Sequence, residues 1–502
     1  MRLPENLHVY QKRIKDFWLE YRQSKLGILG VILLIIYLFT VVFGPSLVGD
    51  PSARVAEKYA MPLWATILPQ YRDLPQTAEK QVNWTLTQPS DFVGAEFASY
   101  DSELCEMLNT SEISEWEIQY RGGSTKDLEV WLGWNFTYQY ASPRSFTINF
   151  RWRATNLTDM GYCLELFLVR WDNGTTKYSL WDSNTQIPSR MARSTDYKYT
   201  YSYGRWPRAV SLPSDFQSIY VDRFGLDPAD NLAKIIFSEK GEYGLMIDIR
   251  LRPKSLGATC NIDVINTKFT IPGLVFGIFG TDNSGADVFA QLVYGSRISL
   301  AIGLIAAIIT TTLGLAVGVF SGYRGGYVDE FLMRIVDILL CLPLLPLLLI
   351  LVFIFGRNLF LIILFITLLS WMSLARVIRS QVLSIREMPF IESAKASGAK
   401  VWYILVRHII PNVLPVAFIT MIVTIPGAIL LEAALSFLGW GDPTLVTWGR
   451  MLNYAMRFEG FSRLAWWWFL PPGIAMLLVC AAFIFVSNAL DQVVNPRLRR
   501  RR

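Results

Sequence analysis

Leu26-Gly-Ile-Leu-Gly-Val-Ile-Leu-Leu-Ile-Ile-Tyr-Leu-Phe-Thr-Val-Val-Phe43 carries no charge, and this run decides the fold class. Roughly 18 residues rising about 1.5 Å each nearly match a hydrocarbon core of about 30 Å. Five further runs of the same character follow in the second half of the chain: Ile298–Phe320, Phe331–Phe355, Leu359 to about Val377, Val413–Phe437 and about Trp468 to Leu490. The chain therefore reads as an α-helical membrane protein with about six spans. Hydrophobic residues make up 52% of the 502 residues and charged ones 18%, more apolar surface than a water-soluble fold needs.

Six spans put both termini on one side, and the flanks decide which. Arg2, Lys12, Arg13, Lys15, Arg22 and Lys25 precede the first span, and Arg497 and Arg499 to Arg502 follow the last. Positive-inside bias makes both ends cytoplasmic in a multi-pass protein of the cell membrane. From His8 to Lys25, apolar residues recur at helical spacing among basic ones, the pattern of an amphipathic helix lying on the bilayer surface. A cleaved signal peptide fits less well, because the basic lead is long and no small-residue cleavage site follows the run.

The chain divides into a first span with its lead (1–50), an inserted region (51–270) and a membrane core (271–502). The inserted region lies outside on this topology. Glu129-Val-Trp-Leu-Gly-Trp134, Phe146-Thr-Ile-Asn-Phe-Arg-Trp152 and Leu164-Glu-Leu-Phe-Leu-Val-Arg-Trp171 alternate polar with aromatic or aliphatic residues, and Asp172-Asn-Gly supplies a turn. This is the grammar of strands and hairpins, and it predicts a mostly β domain, a β-sandwich, whose tryptophans mostly pack inward. All five Asn-x-Ser/Thr sequons fall here, at Asn83, Asn109, Asn135, Asn156 and Asn173, as candidate glycosylation sites. Cys105, Cys163 and Cys260 also lie here, and three disulfide pairings stand equal.

Several function classes drop out. His8 and His408 are the sole histidines, too few for a histidine-based metal centre or triad, so no catalytic or metal residue is assigned. The net charge of +6 sits in clusters beside spans and forms no nucleic-acid-binding face. Gly122-Gly-Ser-Thr-Lys126 lacks the spacing of a phosphate-binding loop. No cofactor is expected in this chain.

The basic segment from about 379 to 411 is a cytoplasmic loop on the same bias. It reads Glu392-Ser-Ala-Lys-Ala-Ser-Gly398 and continues to His408-Ile-Ile-Pro411-Asn412. A short helix of small residues ends at a glycine able to reverse the chain, and proline opens the next span. Ala394, Ala396 and Ser397 let a partner backbone come close. A plain linker is the alternative on composition alone.

The segment is similar to the EAA loop of binding-protein-dependent ABC importer permeases, with Ser393 in place of the second residue and Ile410-Pro411 at the later pair. The resemblance implies that Glu392, Ser393, Ala394, Gly398 and Pro411 dock an ATPase subunit. Gly280-Thr-Asp-Asn-Ser-Gly-Ala-Asp287, Tyr294-Gly-Ser-Arg-Ile-Ser299, Gly322-Tyr-Arg-Gly-Gly-Tyr-Val-Asp329, Met333-Arg-Ile-Val-Asp337, Glu432-Ala-Ala-Leu-Ser-Phe-Leu-Gly439, Trp448-Gly449 and Asn495-Pro-Arg-Leu498 follow in family order. They narrow the resemblance to the second membrane subunit of dipeptide and oligopeptide permeases. Ala286 stands where the family usually has arginine, Trp440 interrupts a usual Leu-Gly run, and the region from 51 to 270 replaces a short loop.

What the resemblance implies is an ABC importer permease-like core translocating peptides, with oligosaccharides as the alternative cargo. The implied partners are a second permease subunit, two cytoplasmic ATPase subunits that carry ATP and Mg, an extracytoplasmic solute-binding protein and the lipid bilayer. A membrane receptor or adhesion protein would account for the outer region but needs neither the loop nor five further spans. Glu432, flanked by apolar residues, is expected to face the bundle as a structural partner, since a lipid-facing carboxylate costs about 2.5–3.5 kcal/mol at mid-bilayer.

Overall fold

The computed structural model describes residues 18–76, 78–81, 105–110, 115–171, 176–183, 208–213 and 231–494. Most of the amphipathic lead from His8, sequons Asn83 and Asn173, and the basic C-terminal run with Asn495-Pro-Arg-Leu498 lie outside them, as do the side chains of Cys105 and Asn109. The chain forms two compact units, one of Met1–Ala53 with Ala286–Arg502 and one of Arg54–Gly285.

In the membrane unit the helices are α1 (Lys25–Leu47), α2 (Val288–Arg324), α3 (Gly326–Leu340), α4 (Leu344–Phe355), α5 (Leu359–Ser370), α6 (Met372–Arg386), α7 (Pro389–Ala396), α8 (Ile410–Phe437), α9 (Trp448–Arg457) and α10 (Trp466–Val494). Among the described residues, five helices are long and apolar enough to cross a membrane, or six if a bent pair counts as one span.

That bent pair corrects the third expected span. Phe331–Phe355 is not one straight rod, because α3 and α4 meet at 87°. Pro343 caps α4, and its missing N–H and fixed ring prevent α3 from running on. The fourth span, expected to stop near Val377, continues through α6 to Arg386.

Helix packing relies on glycine, as expected where lipid offers no hydrophobic drive between helices. Along α2, a Cβ added at Gly303 would come within 2.7 Å of Ile429 on α8, and one at Gly318 within 2.7 Å of the Ala375 carbonyl on α6. Gly314 and Gly322 extend this stripe against Leu374 and Val382. The Gly-x-x-x-Gly spacing from 314 to 322 thus seats α6 backbone against backbone. Gly30 on α1 plays the same part against Ala482 on α10.

The second unit is a β-sandwich, as its alternation predicts. One sheet runs in the order β2 (Cys105–Thr110), β3 (Glu115–Tyr120), β10 (Thr259–Ile271), β5 (Thr147–Thr158), β8 (Arg208–Pro213), with β1 (Ala78–Gln81) pairing the end of β10. The other is ordered β4 (Leu128–Tyr138), β9 (Gly241–Pro253), β6 (Met160–Trp171), β7 (Thr176–Asp182). Within both sheets neighbouring strands pair antiparallel.

Leu132, Phe150, Trp152, Leu166, Trp181, Leu245 and Ile262 belong to the core between the sheets. Trp134 packs against it, whereas Trp131 and Trp171 join Phe167, Val169 and Met246 in a separate cluster.

The unit reaches Gly285, past residue 270, because its last segment pairs with its first. Met61 N donates to the Leu274 carbonyl at 2.8 Å, Phe276 N to the Met61 carbonyl at 2.8 Å, and Ala60 N to Thr281 Oγ1 at 2.8 Å. Register also narrows the cysteine pairings. Cys105 and Cys260 both face Tyr120 from opposite sides of β3, about 9.5 Å apart across two strand spacings and beyond the roughly 7 Å a disulfide tolerates. Cys260 lies in the core while Cys163 alternates with the core residues Tyr162 and Leu164, so these two face apart.

Candidate docking site

The loop that follows α6 is built in two faces. Pro389 occupies the first turn of α7, and Glu392 is also in that turn, where an anion suits the helix N-terminus. Ser393 Oγ donates to the Pro389 carbonyl and Ser397 Oγ to the Ser393 carbonyl, both at 2.9 Å. Such bonds tie the hydroxyls back to the helix.

Gly398 adopts φ 75°, and its N–H donates to the Lys395 carbonyl at 3.0 Å while Ala399 N donates to the Ala394 carbonyl at 3.1 Å. This is a left-handed C-terminal cap that glycine adopts without strain. A helical turn Val401–Ile404 and a π turn Leu405–Ile409 lead into α8, where Pro411 sits in the first turn.

The inner face is apolar and anchored. Ile391 is 0% exposed and clusters with Val319 of α2, Leu374, Ile378 and Val382 of α6, and Ile404, Leu405 and Ile409. The outer face presents Glu392, Ser393, Lys395, Ala396, Ser397 and Gly398 to solvent, beside Phe390, Tyr403 and Trp402, the last 74% exposed. Ala394 is half-buried between the faces. All four expected residues of the turn therefore lie within one short element, and Pro411 begins the helix that follows.

Polar contacts brace this element against the bundle. Arg379 donates Nε to Asp329 Oδ1 at 2.5 Å and Nη2 to Oδ2 at 2.6 Å, and Ser321 Oγ also donates to Asp329. Arg386 Nη1 donates to the Gly322 carbonyl at 3.3 Å, and Lys395 Nζ lies 5.8 Å from the centre of the Tyr323 ring. Arg376 pairs with Asp337. Motif spacing does not show these partners. The sequence signal for them was a basic helix, Arg376 to Arg386, following an acidic one, Asp329 to Asp337.

Glu432 is 2% exposed and accepts from Ser436 Oγ at 2.6 Å, so it faces the bundle as expected. Asp442, in the segment after α8, accepts from Leu359 N at 3.0 Å and from Thr444 N at 2.9 Å. Burial raises its pKa, but these bonds outweigh that and hold the carboxyl below its ordinary range. Asn135 and Asn156 are exposed on the β unit. Asn135 Oδ1 accepts from Trp171 Nε1 at 3.2 Å.

The fold and site are those of a multi-span membrane protein with a short turn, anchored on one face and exposed on the other, between α6 and α8. Residues 314–500 match the family described as "Binding-protein-dependent transport system inner membrane component". The chain is 36% identical over 223 residues to the oligopeptide transport system permease protein OppC of Bacillus subtilis, covering 44% of this chain and 72% of that one. It is 36% identical over 226 residues to the dipeptide transport system permease protein DppC of the same organism, covering 44% and 69%. It is 37% identical over 222 residues to OppC of Escherichia coli, covering 44% and 72%. The chain belongs to this family of binding-protein-dependent transport permeases.

Proposed function

We propose that this chain is the permease subunit of an ATP-driven importer that translocates peptides delivered by an extracytoplasmic solute-binding protein. The observation that carries the assignment is the turn Glu392–Gly398. Its small-residue outer face is open to solvent, while Ile391 locks its inner face to α2 and α6. An element held this way transmits displacement without needing to bend. Peptide cargo is supported by the names of the relatives, which are oligopeptide and dipeptide permeases.

The working complex is this chain, a second permease subunit, two cytoplasmic ATPase subunits and the binding protein. ATP and Mg belong to the ATPase subunits. Their closure would push on Glu392, Ser393, Ala394 and Gly398, and the braced helices would carry that motion into the bundle as a switch between two states. Basic flanks support a cytoplasmic position for both termini and the turn, an orientation that puts the β-sandwich outside.

A cysteine at Ser393, in the assembled complex, should crosslink to an ATPase subunit in a manner that changes with bound nucleotide. Absence of any crosslink from positions 393 and 396 to an ATPase, in a complex active in transport, would refute the docking assignment.

A further inference from the structure

The β-sandwich unit carries an exposed apolar ridge that the proposed transport role does not use. It is made by two segments. Two 3-10 turns, Leu63–Ile67 and Pro69–Tyr71, with Leu68 between them, contribute Leu63, Trp64, Ile67 and Leu68, and the turn after β10 contributes Ile278. Ile67 is 81% exposed and Ile278 54%, with the other three between 43% and 46%.

The ridge is a built feature, not a frayed loop. Leu63 N donates to the Gly277 carbonyl at 2.9 Å, and Trp64 Nε1 donates to the Ile278 carbonyl at 3.0 Å. Behind it Pro62, Ala65 and Val275 are buried. The indole thus has its polar edge satisfied internally while its ring stays on the surface.

We propose that this ridge inserts into the interfacial region of the lipid bilayer that the chain's own spans cross. Chain continuity identifies the occupant. The first ridge segment is the one that follows α1, and the second is the one that precedes α2. Residues 279–287 alone separate Ile278 from the start of α2, and nine residues reach roughly 30 Å at full extension. The tether therefore keeps the ridge within roughly 30 Å of the start of α2, whichever side the unit occupies.

Its composition fits that depth. Tryptophan and tyrosine prefer the headgroup level, isoleucine and leucine the acyl boundary below it, and Gln70 and Arg72 follow on the exposed side where an arginine can snorkel to phosphate.

The test uses the full chain in its assembled complex in nanodiscs of phosphatidylethanolamine and phosphatidylglycerol. A benzophenone amino acid is placed at position 67, at position 278, and at the control position 256. Leu256 is also apolar and 66% exposed, but it precedes β10, at the opposite end of that strand from Ile271.

Illumination followed by mass spectrometry should find phospholipid adducts at 67 and 278, at least tenfold over those at 256. Peptide adducts from another subunit or from the binding protein at 67 and 278 would overturn the proposal. So would lipid labelling at 256 equal to that at 67, or no lipid adduct at either ridge position.

Discussion

Arg379 grips Asp329 with both arms of its guanidinium, at 2.5 and 2.6 Å. The pair joins the first turn of the bent helix pair to the helix that runs into the docking turn. Its carboxylate is 12% exposed and its guanidinium 31%. Removing one partner strands the other charge, and breaking such a pair costs on the order of 3 kcal/mol. Lysine cannot restore the two-pronged geometry. Asp329→Asn and Arg379→Lys should therefore each lower transport at least tenfold while the ATPase subunits still co-purify. Parallel measurement of uptake and subunit recovery separates this coupling defect from a docking defect, which would lower both.

Gly398 offers a graded test of the docking turn. A Cβ there would meet nothing within 4 Å of this chain, so internal crowding cannot explain any loss. Its φ of 75° disfavours β-branched residues by about 1–3 kcal/mol, whereas asparagine tolerates the left-handed region. Gly398→Val should abolish transport and leave the protein in the membrane, and Gly398→Asn should retain a substantial fraction. Wild-type uptake in Gly398→Val would remove the turn from the mechanism.

Much of the architecture was legible because its signals are dense. Charge-free runs such as Leu26–Phe43 can satisfy their backbone in lipid as helices, and strict alternation such as Phe146–Trp152 places one face of a strand in a core. The reversal at Gly398 and the helix start at Pro411 were legible because both residues act locally, through backbone conformation; a docking role for the turn came only from the family resemblance. The bend at Pro343 was missed because apolar composition continues unbroken across it from Phe331 to Phe355, and composition carries no direction. The anchor Ile391 and the Asp329–Arg379 fork were missed for another reason. Both depend on helices far apart in sequence, brought together by the glycine stripe of α2.

Topology is open to direct labelling. With native cysteines replaced, a cysteine at the exposed Lys126 should react with a membrane-impermeant maleimide in intact cells. One at the exposed Lys395 should react only after permeabilisation. The reverse pattern would place the turn on the wrong side for ATPases.

Asp442 gives a pH signature. Its carboxyl is held below its ordinary range when folded, so it contributes stability above the unfolded value of about 3.9 that is lost as pH falls through the lower folded value. Asp442→Asn removes that charge and turns one of the two acceptor oxygens that serve Leu359 N and Thr444 N into an NH2 donor. Thermal melts of the purified complex should show the variant about 1 kcal/mol less stable at pH 7. The difference from wild type should shrink below about pH 4.

The central claim is that this chain works as the membrane half of an ATP-driven machine, and affinity purification from native membranes in mild detergent tests it most directly. Tagged at its C-terminus, the chain should bring down a second permease subunit and two ATPase subunits in fixed stoichiometry by native mass spectrometry. A monodisperse, folded chain recovered without any ATPase subunit would contradict the account.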